Sequence, residues 1–109
     1  MSESTDVRLR IEAILADHPV VLFMKGTREA PSCGFSAATV GALNDLLENY
    51  HTVNVLADEE IRNGIKEYAN WPTIPQLYIK GEFVGGCDIM KEMYQTGELQ
   101  QMLEGIAQA

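Results

Sequence analysis

The sequence is poor in several features that would each assign it to a class. Its longest wholly apolar run is Val20 to Met24, far short of the roughly 20 residues that a membrane-spanning helix needs, so a membrane protein is not expected. Met1 to Arg10 mixes acids, bases and hydroxyls with no apolar stretch. A secretory signal is therefore not read there, and a cytoplasmic location is expected. Basic residues are scarce: 8 Lys and Arg stand against 16 Asp and Glu, for a net charge of −8. Phosphate contacts are made mainly with positive charge, so nucleic acid is an unfavourable partner. Cysteine is rare too. Cys33 and Cys87 are too few for a disulfide framework, and neither has zinc-type partners close in sequence.

What remains is a chain of 109 residues, 46% hydrophobic and 22% charged, which suits one folded domain over residues 1–109. No repeat or low-complexity linker interrupts it. Val7, Ile11, Ile14 and Leu15 fall at helical spacing behind the potential caps Ser4, Thr5 and Asp6, and Pro19 closes the segment. Val20 to Met24 reads as a strand covered on both faces. Lys25 to Ser32, with Gly, Thr and Pro, reads as a loop.

From Gly34 to Glu48, Val40, Leu43 and Leu47 recur at helical spacing, with Ala37 and Ala38 beside them. His51 to Leu56 suits a short strand through Val53 and Val55. Asp58, Glu59 and Glu60 load the start of the next helix, whose buried stripe is Ile61, Ile65, Tyr68 and Ala69. Trp71 to Pro75 ends that helix. Gln76 to Lys80 and Glu82 to Val84 then form a hairpin about Gly81. Asp88 is positioned to cap a helix running to Thr96, with Gly97 as its stop and Glu98 to Ala107 as a last helix. The order α-β-α-β-α-β-β-α-α predicts an α/β fold: a four-stranded mixed sheet, its first two strands parallel by a right-handed crossover, with helices on both faces.

Cys33 follows a loop after a buried strand and opens a helix, where unpaired N–H groups and the helix dipole favour a thiolate. Lys25 is placed to add positive charge. An inert core cysteine is the alternative. Cys87 follows Gly85-Gly86 at another helix start, where successive backbone N–H groups suit a carboxylate and the thiol itself suits packing. Arg62 and Lys66 share a helix face, either for a bound anion or as a face already neutralised by Asp58, Glu59 and Glu67. Ile74-Pro75 is a candidate cis peptide, which would leave the Ile74 backbone free to pair with an extended ligand. His18 and His51 lie far from any candidate ligand in sequence. Trp71 reads as a packing residue.

Cys33-Gly34-Phe35-Ser36, with Phe23-Met24-Lys25-Gly26-Thr27 and Pro31 before it, resembles the signature of a monothiol glutaredoxin of the CGFS type. Trp71 to Gln76 and Gly81 to Ile89 are similar to the family's other two signatures, so the resemblance covers nearly the whole chain. It implies a thioredoxin-like fold and a glutathione site around Cys33. Matching positions would place Lys25 and Arg62 on the glycine-end carboxylate, with Lys66 as helper. They would put the Ile74 backbone on the cysteinyl unit, and the Cys87 and Asp88 amides on the γ-glutamyl carboxylate. Arg28 would lie near the site as a fourth basic residue.

The resemblance also implies a subunit-bridging [2Fe-2S] cluster in a homodimer. Such a cluster wants four ligands; one Cys33 per chain supplies two, and two glutathione thiolates complete the set. A set made of Cys33 and Cys87 from each chain is the rival. Iron–sulfur acceptor proteins and a BolA-like protein are the implied partners. A glutathione-dependent oxidoreductase using Cys33, and redox sensing through a Cys33–Cys87 disulfide, are the alternatives.

Overall fold

A computed structural model of the chain describes residues 3–106. Its order is α1 (Glu3–Asp17), β1 (Val20–Met24), α2 (Gly34–Leu46), β2 (His51–Asn54), α3 (Glu59–Ala69), β3 (Gln76–Ile79), β4 (Glu82–Gly85), α4 (Cys87–Thr96) and α5 (Glu98–Glu104). Every expected element is present in the expected sequence. The strands form one sheet in the order β2-β1-β3-β4, with β1 parallel to β2 and antiparallel to β3, and β3 antiparallel to β4.

Alternation along β1 divides the core. Val20, Leu22 and Met24 face α2, α4 and α5 through Val40, Leu43, Met90, Leu99 and Leu103. Val21 and Phe23 face α1 and α3 through Ile11, Leu15, Ile61 and Ile65. All five β1 residues are buried, as an apolar strand between two helical layers must be. Asp58 caps α3 by accepting the Ile61 N–H at 3.1 Å, and its carboxylate also pairs with Arg10 of α1.

The boundaries differ from expectation for local reasons. α1 begins at Glu3, so Ser4, Thr5 and Asp6 lie inside it rather than capping it. β2 ends at Asn54 because the Asn54 Oδ1 accepts both the Leu56 N–H at 3.0 Å and the Gly26 N–H at 2.9 Å, turning the chain. α2 stops at Leu46, and Leu47 is extended with its N–H on the Leu43 carbonyl. Gly86, not Asp88, is the N-cap of α4, which starts at Cys87. The hairpin turn is Lys80-Gly81, with φ of 52° and 80°, the paired positive values of a two-residue turn that matches strand twist. Ala107 lies outside the described residues.

Candidate active site

β1 delivers the chain to a loop that begins at Lys25 and ends at Cys33. The loop is closed by its own backbone: Ser32 N–H donates to the Lys25 carbonyl at 2.8 Å, and Thr27 and Ala30 exchange N–H···O bonds at 3.2 and 3.1 Å. At its end Cys33 is the N-cap of α2, half-buried, with extended backbone. Its Sγ accepts the Ser36 N–H at 3.3 Å and lies 3.3 Å from the Ser36 Oγ.

Burial alone would push the Cys33 thiol up, but the Ser36 hydroxyl, the Ser36 and Phe35 N–H groups and the Lys25 charge outweigh it and hold it below its ordinary value. Cys87 goes the other way. Burial raises it, and the neighbouring Asp88 and Cys33 charges add to that against Lys91. The two thiols are thus separated in character, with Cys33 the more readily ionised of the two.

Ser36 is the residue that sequence reasoning underrated. It is fully buried, its Oγ accepts the Lys25 N–H at 3.1 Å, and it bonds Cys33. One hydroxyl therefore ties the strand end to the nucleophile: it accepts a hydrogen bond from the thiol and can donate one to the sulfur once ionised. Replacing Ser36 with Ala removes that donor, and the Cys33 pKa rises. Alkylation near neutral pH then slows about five- to tenfold, given the worth of a hydrogen bond to a charged group. Ultraviolet thiolate absorbance against pH checks this, and an unmoved titration would contradict it. Because folding lowers the Cys33 pKa, its ionisation stabilises the folded chain. That contribution is full above the unfolded thiol's pKa and is lost as pH falls through the folded value.

A groove of about 480 Å³ is lined in part by Lys25 and Phe35, both of which act on the Cys33 thiol, although Cys33 itself does not line it. One wall is the segment Trp71 to Pro75, with the Ile74-Pro75 peptide cis. Lys25, Phe35, Cys87, Asp88 and Lys66 of α3 also line the groove. The Met90 N–H bonds the Gly86 carbonyl at 3.0 Å, so the N–H groups of Cys87, Asp88 and Ile89 precede the first helical bond of α4 and have no acceptor within it. Gly86 keeps the segment close to this wall: a Cβ there would lie tightly, 3.2 Å from the Trp71 Nε1 and 3.3 Å from the Pro75 carbonyl oxygen.

The structure brings Lys25, Lys66, Ile74, Cys87 and Asp88 together on this groove; Arg62, one turn back on α3, does not line it. Arg28 is turned away, donating to Asn44 and to the Glu48 carbonyl, both at 2.9 Å, and lying over the Tyr50 ring. Its expected place near the site is corrected by those partners, which lie at the C-terminal end of α2 while Cys33 caps its N-terminus. His18 and His51 stack on each other with centroids 3.9 Å apart, which places them in a structural contact. Among the described residues no group of three or more His, Cys, Asp or Glu side chains is placed to hold a metal ion.

The Glutaredoxin family pattern matches residues 20–84, which contain the β1-to-Cys33 loop and the Trp71–Pro75 wall. An uncharacterized monothiol glutaredoxin of Synechocystis is 58% identical over 91% of this chain and 92% of its own length. The chain belongs to the monothiol glutaredoxins. Among other relatives of this glutaredoxin, the mitochondrial monothiol glutaredoxin-5 of Saccharomyces cerevisiae is 52% identical over 93% of this chain and 69% of that protein. The solution structure of reduced poplar apo GrxS14 superposes with a TM-score of 0.82 at 48% identity, covering 96% of each chain. The thioredoxin-like fold expected from the CGFS signature is thereby shown. No helix among the described residues is long and apolar enough to cross a membrane.

Proposed function

We propose that this glutaredoxin binds glutathione in the groove beside Cys33. In this reading two copies hold a [2Fe-2S] cluster as cargo between two Cys33 thiolates and two glutathione thiolates, and pass it to acceptor proteins. The observation that carries the reading is the pairing of one half-exposed, acid-shifted cysteine with a groove lined by Lys25, Lys66 and the start of α4, groups that suit an anionic tripeptide. The donor set fits the cargo. One chain offers a single favoured thiolate, and a four-ligand cluster then needs a second chain and outside thiols. Cys87, raised in pKa, is the poorer ligand, which favours glutathione over the set made of both cysteines.

We assign Lys25 and Lys66 to the glycine-end carboxylate, with Arg62 reaching in from the next turn of α3. The Ile74 backbone pairs with the cysteinyl unit. The Cys87 and Asp88 N–H groups hold the γ-glutamyl carboxylate, with the Asp88 side chain near its amine. A BolA-like protein is the proposed partner in mixed complexes. Free cysteines suit a reducing compartment, and the cytoplasm remains our assignment.

A second reading is supported by the same thiolate. Cys33 attacks a glutathionylated protein at the glutathione sulfur and the protein thiolate leaves; a second glutathione thiolate then attacks the sulfur of the Cys33-bound glutathione, forming glutathione disulfide with the Cys33 thiolate as the leaving group. Ser36 at the position of a second cysteine leaves this one-thiol route as the available one. Substantial turnover in a glutathione-coupled disulfide assay would argue against a carrier role alone.

The test of the groove is a glutathione titration of the reduced protein by calorimetry. Lys25→Gln and Lys66→Gln each weaken binding about two- to tenfold, as solvent-facing contacts of roughly 0.5–1.5 kcal/mol should. The penalty shrinks with added salt. Binding that neither substitution alters would remove the groove as the glutathione site.

A further inference from the structure

Gln76 has no part in the chemistry described so far. It is fully buried at the first position of β3, where an apolar side chain would be expected. An amide taken from water costs free energy unless its hydrogen bonds are met. Here they are met in a fixed pattern: Nε2 donates to the Trp71 carbonyl at 3.2 Å and the Thr73 carbonyl at 3.1 Å, while Oε1 accepts from the Tyr78 hydroxyl at 3.1 Å. Tyr78 is held in turn by the rings of Phe23, Tyr68 and Phe83. Both amide protons are therefore directed outward from the aromatic core to two carbonyls that straddle Pro72. Those carbonyls belong to the connection between α3 and β3, which has no regular hydrogen-bond ladder of its own and which supplies one wall of the groove.

We propose that Gln76 is a positioning residue: it fastens the Trp71–Pro75 wall to the sheet and so sets how tightly the groove holds glutathione, an inference that rests on the glutathione reading above. A wall held in its binding geometry spares the ligand the cost of ordering it, and Gln76 is the side chain that links this wall to a strand buried between both helical layers. Its bonds involve neither Cys33 nor Ser36, so the effect falls on ligand affinity and not on thiol acidity.

The experiment compares the full chain with Gln76→Met and Gln76→Glu. The first keeps the volume and removes the fork of donors. The second keeps the acceptor for Tyr78 and regains one donor only when protonated, which burial favours at mildly acidic pH; the Tyr78 phenol facing it is pushed far up by burial and does not titrate there.

Glutathione affinity is expected to fall roughly five- to tenfold in Gln76→Met, with the Cys33 thiolate titration unmoved and the amides of Trp71, Thr73 and Ile74 exchanging hydrogen faster. Gln76→Glu is expected to bind weakly near about pH 8 and to recover toward the parent near about pH 6. Variants that lose thermal stability yet bind glutathione as the parent does would overturn the proposal. If the parent binds no glutathione, the functional reading fails, and amide exchange then decides alone. Faster exchange in the 71–74 segment of either variant supports the fastening role, and unchanged exchange overturns it.

Discussion

Cys33→Ala protein, incubated with iron, sulfide and glutathione, is expected to stay colourless and monomeric, while Cys87→Ala protein takes up a cluster as the parent does. The asymmetry follows from the local chemistry of two cysteines that each stand at a helix start. Cys33 has the Ser36 hydroxyl, two backbone N–H groups and Lys25 holding its thiol down. Cys87 has burial and the Asp88 charge pushing it up. A metal binds the thiolate, so removing the first is an all-or-none loss and removing the second is tolerated. Visible absorbance with size-exclusion chromatography reads both. A colourless Cys87→Ala protein that still bound glutathione would mean that the chain's own cysteines complete the cluster's ligand set.

Much of this arrangement is legible in the sequence because it is written in periodicity. The β1 run, buried throughout, can only be a strand between two helical layers, and the spacing of Ile61 and Ile65 or Val40, Leu43 and Leu47 places their helices against it. Cys33 at the opening of α2 follows from the Gly- and Pro-bearing loop before it. The capping details were less accessible. Asp88 has the right side chain for a cap, but the backbone of Gly86 takes that place, and residue preference by itself favours the aspartate.

Arg28 was misplaced for a different reason: its partners Asn44 and Glu48 lie 16 and 20 residues away, and only the path of α2 brings them to it. Ser36 and Gln76 escaped because apolar pattern reading treats polar residues as surface. A signal was available in the α2 stripe, where Ser36 and Thr39 stand in helical register with Val40 and Leu43, and all four are buried.

Gly26→Val is expected to destabilise the chain by about 2–4 kcal/mol, combining the cost of a side chain at positive φ with that of overpacking. Gly26 has φ of 91°, and a Cβ there would lie 2.6 Å from the Ala30 carbonyl oxygen, the Ser32 nitrogen and the Ser32 Oγ. Two of those atoms are backbone, in the loop that is closed on itself by the Ser32–Lys25 and Thr27–Ala30 bonds, so the clash has no cheap relief. The same loop ends at Cys33. The folded fraction of Gly26→Val protein should therefore also show a raised Cys33 pKa, as Lys25 and Ser36 are pulled out of register. Chemical denaturation reads the first effect and thiolate absorbance the second. A loss under about 0.5 kcal/mol, the range of an ordinary surface change, would contradict the loop geometry.

Whether Cys33 and glutathione together ligate a shared cluster is decided by the composition of the coloured protein. The purified chain is reconstituted with iron, sulfide and glutathione, the coloured fraction is isolated by size, and iron, sulfide and glutathione are counted per chain. The account predicts a dimer with two iron and two sulfide shared between its chains and one glutathione on each. A coloured species without glutathione, or a colourless monomer under conditions where a known cluster binder succeeds, would contradict it.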